Sequence, residues 1–308
     1  MKYLAITVDV EPDSRWPSWT YSNPLTFDGV AIGINERLGP LCARLGLRPT
    51  YLINNIVLEN ALSVETLARQ TNCELGTHLH PEFIAPDKKH SDYSGKTNDA
   101  NQCFLPEKIE FEKLSSLTAL FKSSFGRQPL SFRAGRFSAQ AGTVRSLIKL
   151  GYKTDSSVTP HIVWDDPTRE KPVDFRGAPQ QPYFASTDDI TKADPASPLL
   201  EVPLTIVRKW RFLSLRTYWF RPGYSTPAQL LKIVDSLPEQ DQDCVLNMMF
   251  HNVELVPGKS PYNSTEEECR SCLDAIESAA RHCLDKGFQS ATLSEIHGAL
   301  RPNRHDQT

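Results

Sequence analysis

The sequence predicts a single α/β domain whose parallel sheet closes as a (β/α) barrel, and three observations lead there. Short apolar runs alternate with amphipathic stretches along the chain, as repeated strand–helix units with right-handed crossovers do. The 308 residues suit one large α/β domain, since a barrel of about 250 residues counts as one unit. The residues that carry chemistry fall at the ends of several different strands. That placement favours a barrel over a doubly wound sheet, which the alternation alone would fit equally well. The expected division is a barrel over residues 1–300 and a polar tail over 301–308.

In chain order, Tyr3 to Val8 is a continuous apolar run suited to a strand buried on both faces. Val30, Ile34, Leu38, Leu41 and Leu45 follow helical spacing, and Gly46 stands where that helix would stop. Thr50 to Ile53 reads as a strand. Ser63 to Gln70 reads as a helix opened by a Ser63 cap with Glu65 close behind. Cys73 to Thr77 is a third strand. The polar stretch from Pro81 to Leu105 is too long for a simple connector and reads as a functional loop. Ile109 to Phe125 is a helix, Leu130 to Phe132 a strand, and Val144, Leu147 and Ile148 mark a helix ended at Gly151. Val158 to Ser186 is expected to be irregular. A strand near Leu199 to Val202, a helix near Ala228 to Leu237, a strand from Cys244 to Phe250 and a helix from Glu266 to Leu284 follow. Phe288 to Leu300 closes the chain with a short strand and a helix.

Composition narrows the function. Hydrophobic residues are 39% and charged residues 23% of the chain, enough apolar material for one large core. Net charge is -3, from 34 basic and 37 acidic residues, so the footprint expected for a nucleic-acid partner is missing. The longest apolar runs are strand-sized, which predicts no transmembrane segment. The opening residues pass directly into a strand and do not read as a signal peptide, so a cytoplasmic setting is expected. Seven scattered cysteines then read as free thiols, and the Cys269–Cys272 pair as helix packing rather than a metal or redox site.

Four segments carry chemistry. In Thr7-Val8-Asp9-Val10-Glu11, alternation puts Asp9 and Glu11 on one side of an extended chain. Two close carboxylates suit a cation site or a perturbed base. In Gly76-Thr77-His78-Leu79-His80-Pro81-Glu82, two histidines one residue apart at a strand end can both face a divalent ion such as zinc. In Phe132-Arg133-Ala134-Gly135-Arg136, an arginine at a strand end offers a fixed fork that can hold a carboxylate. In Phe250-His251-Asn252-Val253-Glu254, a histidine ends an apolar strand, a placement that suits a general acid or base.

Taken in this order, the segments resemble the polysaccharide deacetylases (NodB-type, carbohydrate esterase family 4). The resemblance runs from about Lys2 to Leu300. It is supported by Thr154-Asp155-Ser156-Ser157-Val158-Thr159-Pro160, Asp174-Phe175-Arg176-Gly177-Ala178-Pro179 and Glu254-Leu255-Val256-Pro257-Gly258-Lys259-Ser260-Pro261-Tyr262, which look like a cytosolic-looking subgroup. The resemblance implies a distorted (β/α) barrel, often of seven strands, and hydrolysis of an N-acyl group on a sugar. By position it implies Asp9 as catalytic base, Arg133 as the arginine orienting that base, His251 as the acid that protonates the leaving amine, and His78 as a metal ligand.

The chain departs from the family pattern twice. Val10 follows Asp9 where many members have a second aspartate, so Glu11 becomes the expected ligand. The usual second metal histidine lies four residues after the first, where this chain has Glu82; His80 or Glu82 is then the third ligand, unless the metal has been lost as in related metal-independent allantoinases. The expectation is a divalent ion, zinc by its donor set, on Glu11, His78 and His80. The substrate expected is an amino sugar, lipid- or nucleotide-linked or part of an oligosaccharide. The rivals are a metal-independent amidohydrolase and an inactive glycan-binding barrel. Tyr183, Trp210, Tyr218, Trp219 and Tyr262 are candidate stacking platforms for sugar rings.

Overall fold

The structure, a computed structural model, describes residues 1–88, 101–165, 171–211, 214–236 and 243–301. The elements follow the alternation. Strand β1 (Lys2–Val10) leads to a wide-pitched helix at Gly29–Leu38 that continues as α1 (Gly39–Leu45). Then come β2 (Thr50–Asn54), α2 (Asn55–Leu58), α3 (Ala61–Ala68), β3 (Glu74–Leu79), α4 (Glu107–Phe125), β4 (Ser131–Ala134), α5 (Ala141–Leu150) and β5 (Thr154–Asp155). A ribbon of β6 (Val163–Trp164) and β7 (Val173–Asp174) precedes β8 (Tyr183–Phe184) and β9 (Leu200–Glu201). A hairpin of β10 (Ile206–Arg211) and β11 (Ser214–Trp219) precedes α6 (Pro227–Val234), β12 (Cys244–His251), α7 (Glu266–Asp285), β13 (Gln289–Ser290) and α8 (Leu293–Leu300).

The main sheet runs β12-β1-β2-β3-β4-β5-β9, all parallel, with β8 antiparallel at the β9 edge and β13 paired to the start of β1. The sheet curls, and its two ends are joined by a few separate hydrogen bonds rather than by a ladder. The Thr205 N–H donates to the Asn247 carbonyl (3.2 Å), and the Asn247 side-chain amide donates to the carbonyls of Val202 (3.0 Å) and Pro203 (3.3 Å). The result is the distorted barrel that the strand–helix alternation and the resemblance predict.

Strand period places the chemistry. On β1, Leu4, Ile6, Val8 and Val10 join the large cluster under the helices, while Tyr3 and Ala5 join a smaller cluster inside the barrel that α8 plugs. Thr7, Asp9 and Glu11 share the parity of Tyr3 and Ala5, so the same alternation that buries the base of the strand turns the acids to the barrel interior. A register slip of one residue would send all of them to the helical face.

Several boundaries differ from the sequence expectation. The cap of α3 is Asn60, whose side chain accepts from the Ser63 N–H (2.9 Å), and not Ser63 itself. The stretch from Val158 to Ser186 is not wholly irregular, because β6, β7 and β8 lie in it. The hairpin β10–β11 was not expected at all. Its alternation is masked by basic residues on both faces. Of the expected loop at 81–105, residues 89–100 lie outside the described residues, as does the tail beyond Arg301. Cys269 and Cys272 are free and buried on α7.

Candidate metal centre and acid–base pair

Among the described residues Arg133 is the largest fully buried side chain, and its hydrogen bonds serve the site. Its Nε donates to the Ser156 carbonyl (2.7 Å), one terminal nitrogen to Asp9 Oδ1 (2.7 Å), and the other to Thr7 Oγ1 (2.7 Å) and Ser156 Oγ (2.8 Å). Asp9 thus meets its counter-charge in a dry setting. Burial pushes the Asp9 carboxyl up, but Arg133, with His78 and His251, outweighs that and leaves it below the ordinary aspartate value.

His251 faces the same carboxylate from the end of β12, its Nε2 3.9 Å from Asp9 Oδ2. The other ring nitrogen, Nδ1, lies 2.7 Å from Glu254 Oε1. A carboxylate only accepts, so Nδ1 carries the hydrogen there and Nε2 is left toward the cavity. Arg221 also donates to Glu254 Oε1 (2.7 Å). Burial raises Glu254, yet Arg221 and His251 bring it below its ordinary value, so it stays ionised.

Beside Asp9, Glu11, His78 and His80 converge. Glu11 Oε1 lies 3.1 Å from His78 Nε2 and 3.0 Å from His80 Nε2, and the two Nε2 atoms are 3.1 Å apart. His78 Nδ1 donates to the Arg133 carbonyl (3.0 Å), which turns its Nε2 toward Glu11 and His80. Burial raises the Glu11 carboxyl, but His80 and His78 hold it well below the usual glutamate range. Tyr21 donates to Glu11 Oε2 (3.1 Å), and Asn252 clamps the Glu11 backbone, accepting from its N–H (2.9 Å) and donating to its carbonyl (3.1 Å).

A divalent cation fits this set. One carboxylate oxygen and two imidazole nitrogens, all buried, lie within 4.8 Å of one another, a donor combination that suits zinc and its neighbours. Glu82, the alternative third ligand, has Oε1 on Arg136 (2.6 Å) and 4.0 Å from His80 Nδ1, so it stands behind His80 rather than in the cluster. Space for His80 depends on Gly135. A Cβ there would lie 2.5 Å from the Leu79 carbonyl and 3.1 Å from His80 Nε2.

Asp9, Glu11, His78, His80 and His251 open into one cavity of about 670 Å³. Trp19 leans on His251 with ring centroids 4.6 Å apart, Tyr262 meets Trp19 at 5.5 Å, and Phe137 stacks on Trp164 at 5.2 Å. Of the aromatic residues expected from sequence, Tyr262 lines the cavity and Trp219 packs behind its wall against Trp164 and Tyr224. The others do not fit that expectation. Tyr183 is buried with its hydroxyl on the Ile190 carbonyl, and Trp210 and Tyr218 belong to the β10–β11 hairpin. The sequence gives no sign of Trp19, Tyr21 or Arg221, and Asn252 stands in the His251 segment without a role. Glu254 was in view three residues after His251, without a role.

Fold and site together define a curled (β/α) barrel with a carboxylate–imidazole cluster and an Asp–His pair at its strand ends. No protein-family model matches the chain, and no curated protein matches it in sequence. Among solved structures, the chain is similar to a presumptive polysaccharide deacetylase from Mycobacterium smegmatis, with 16% identity over 97% of this chain and 91% of that one and a TM-score of 0.56. This is a likeness of fold. Looser likenesses are to the Xyl-CE4 domain of a multidomain xylanase from the hindgut metagenome of Trinervitermes trinervoides (11% identity, 97% and 90% coverage, TM-score 0.46). Another is to a family 4 carbohydrate esterase from Streptomyces lividans (12% identity, 94% and 92% coverage, TM-score 0.44).

Proposed function

We propose that this chain is a metal-dependent hydrolase that removes an N-acetyl or N-formyl group from an amino sugar of a cell-surface glycan or its precursor. The observation that carries the reading is Asp9, held by Arg133 and facing His251, at the rim of the Glu11–His78–His80 cluster on one cavity floor.

Glu11, His78 and His80 would hold the ion, which when bound polarises an acyl carbonyl and acidifies water. The protein's own groups account for the proton traffic. Asp9, kept ionised by Arg133, is the base that takes a proton from the attacking water. His251, oriented through Nδ1 by Glu254, presents Nε2 as the acid that returns a proton to the departing amine. Each of these steps contributes roughly 10²–10⁴-fold. The aromatic walls of Trp19, Tyr262, Phe137 and Trp164 suit the faces of a sugar ring.

Metal analysis and acyl release on N-acetyl and N-formyl amino sugars test the reading. The purified protein should bind about one zinc and lose turnover when stripped by a chelator. It should regain turnover when zinc is restored. Full turnover by chelator-stripped, metal-free protein would instead favour a metal-independent amidohydrolase.

A further inference from the structure

The hairpin β10–β11 carries an uneven charge that hydrolysis does not use. Residues 202–234 contain Arg208, Lys209, Arg211, Arg216, Arg221 and Lys232 and no acid, in a chain where acids outnumber bases 37 to 34. Arg221 belongs to the cavity, and Lys209 is tied to the Lys232 carbonyl (3.0 Å). Arg208 and Arg216 are exposed. Lys209 stands directly across the ladder from Arg216. Like charges so placed repel unless a negative partner lies nearby.

Apolar exposure coincides with this charge. Trp210 and Leu215 are cross-strand partners, 74% and 41% exposed, and strand alternation puts Arg208 on their face. An exposed tryptophan and leucine beside an arginine, on a ribbon whose other face is also basic, is the composition that settles at a lipid headgroup layer, where the ring lies at the interface and the cation meets an anionic phosphate.

We propose that the face of β10–β11 that carries Trp210, Leu215 and Arg208 docks on a bilayer surface containing anionic phospholipid, with Trp210 and Leu215 at the headgroup level and Arg208 on the phosphates. The root of the hairpin is Trp219, which packs on Tyr224 and Trp164 at the cavity wall. A six-residue strand spans about 20 Å, so docking would bring the cavity within that reach of the membrane. A lipid-linked amino sugar is then the substrate most readily delivered. The docking itself is independent of the chemistry at Asp9.

Co-sedimentation of the full chain tests it, with vesicles of phosphatidylcholine alone and of phosphatidylcholine mixed with phosphatidylglycerol. The chain should bind the mixed vesicles, and Arg208→Glu and Trp210→Ser/Leu215→Ser should each weaken that binding about tenfold with circular dichroism unchanged. No binding to mixed vesicles, or equal binding by the parent and both variants, overturns the proposal. So does a dimer by gel filtration that the variants split, with no vesicle binding, because the face would then join two copies. Vesicle binding without acyl release would sink only the proposed hydrolysis.

Discussion

The role of each residue at the site rests on what it is denied. Arg133 has no solvent to turn to, so the Asp9–Arg133 pair is of the kind that is costly to break. Replacing Arg133 with Met leaves the Asp9 carboxylate buried without its counter-charge and should cost about 3–5 kcal/mol, read as a lower midpoint in urea unfolding. Glu254 acts through another group, since its carboxylate meets His251 and Arg221 and does not line the cavity. Glu254→Gln should therefore lower kcat by about 10²-fold, the scale of one proton-transfer contribution, with KM little changed. An unchanged kcat would remove Glu254 from the arrangement.

At the scale of elements, the site is legible where strand period governs it and illegible where loops do. Asp9, His78, Arg133 and His251 lie at the ends of strands β1, β3, β4 and β12; β1 and β12 show as apolar runs, and β3 and β4 as short segments between helical stretches. Period two then sets which side chains turn inward. Arg221 and Trp19 reach the cavity from connections and Trp164 from the two-residue strand β6, all without periodicity, and nothing in their local sequence marks them. The strands β5 and β9 are two residues long, too short for alternation to register. Gly135 shows a motif explained by space: its missing side chain makes room for His80 between β3 and β4. Gly135→Ala should displace His80 and weaken zinc binding at least about tenfold, on the scale of disturbing a metal's supporting contacts, as measured by calorimetric titration. Wild-type affinity would show that His80 is not a ligand.

At the scale of the whole molecule, buried titratable groups outside the cavity set the pH dependence of stability. Glu110 on α4 accepts from Gln102 (2.9 Å) and Thr143 (2.5 Å), and burial pushes its carboxyl up to about 7 from an ordinary 4.5. The folded chain therefore keeps a proton that the unfolded chain releases. This contribution is fully present below the unfolded value and is lost as pH rises through the window from 4.5 to about 7. Glu110→Gln removes the titration, so the decline in Tm between about pH 5 and pH 8 should be smaller than in the parent by the equivalent of ~3 kcal/mol. Parallel profiles would place the pH dependence elsewhere. Among the described residues no helix is long and apolar enough to cross a membrane.

The barrel, the cluster and the acid–base pair all converge on Asp9. The most direct measurement is therefore turnover and substrate binding by zinc-loaded Asp9→Asn on an N-acyl amino sugar. Acyl release should fall by about 10²–10⁴-fold with sugar affinity and zinc content at parent levels. Parent-level acyl release by Asp9→Asn would contradict the role of Asp9 as base.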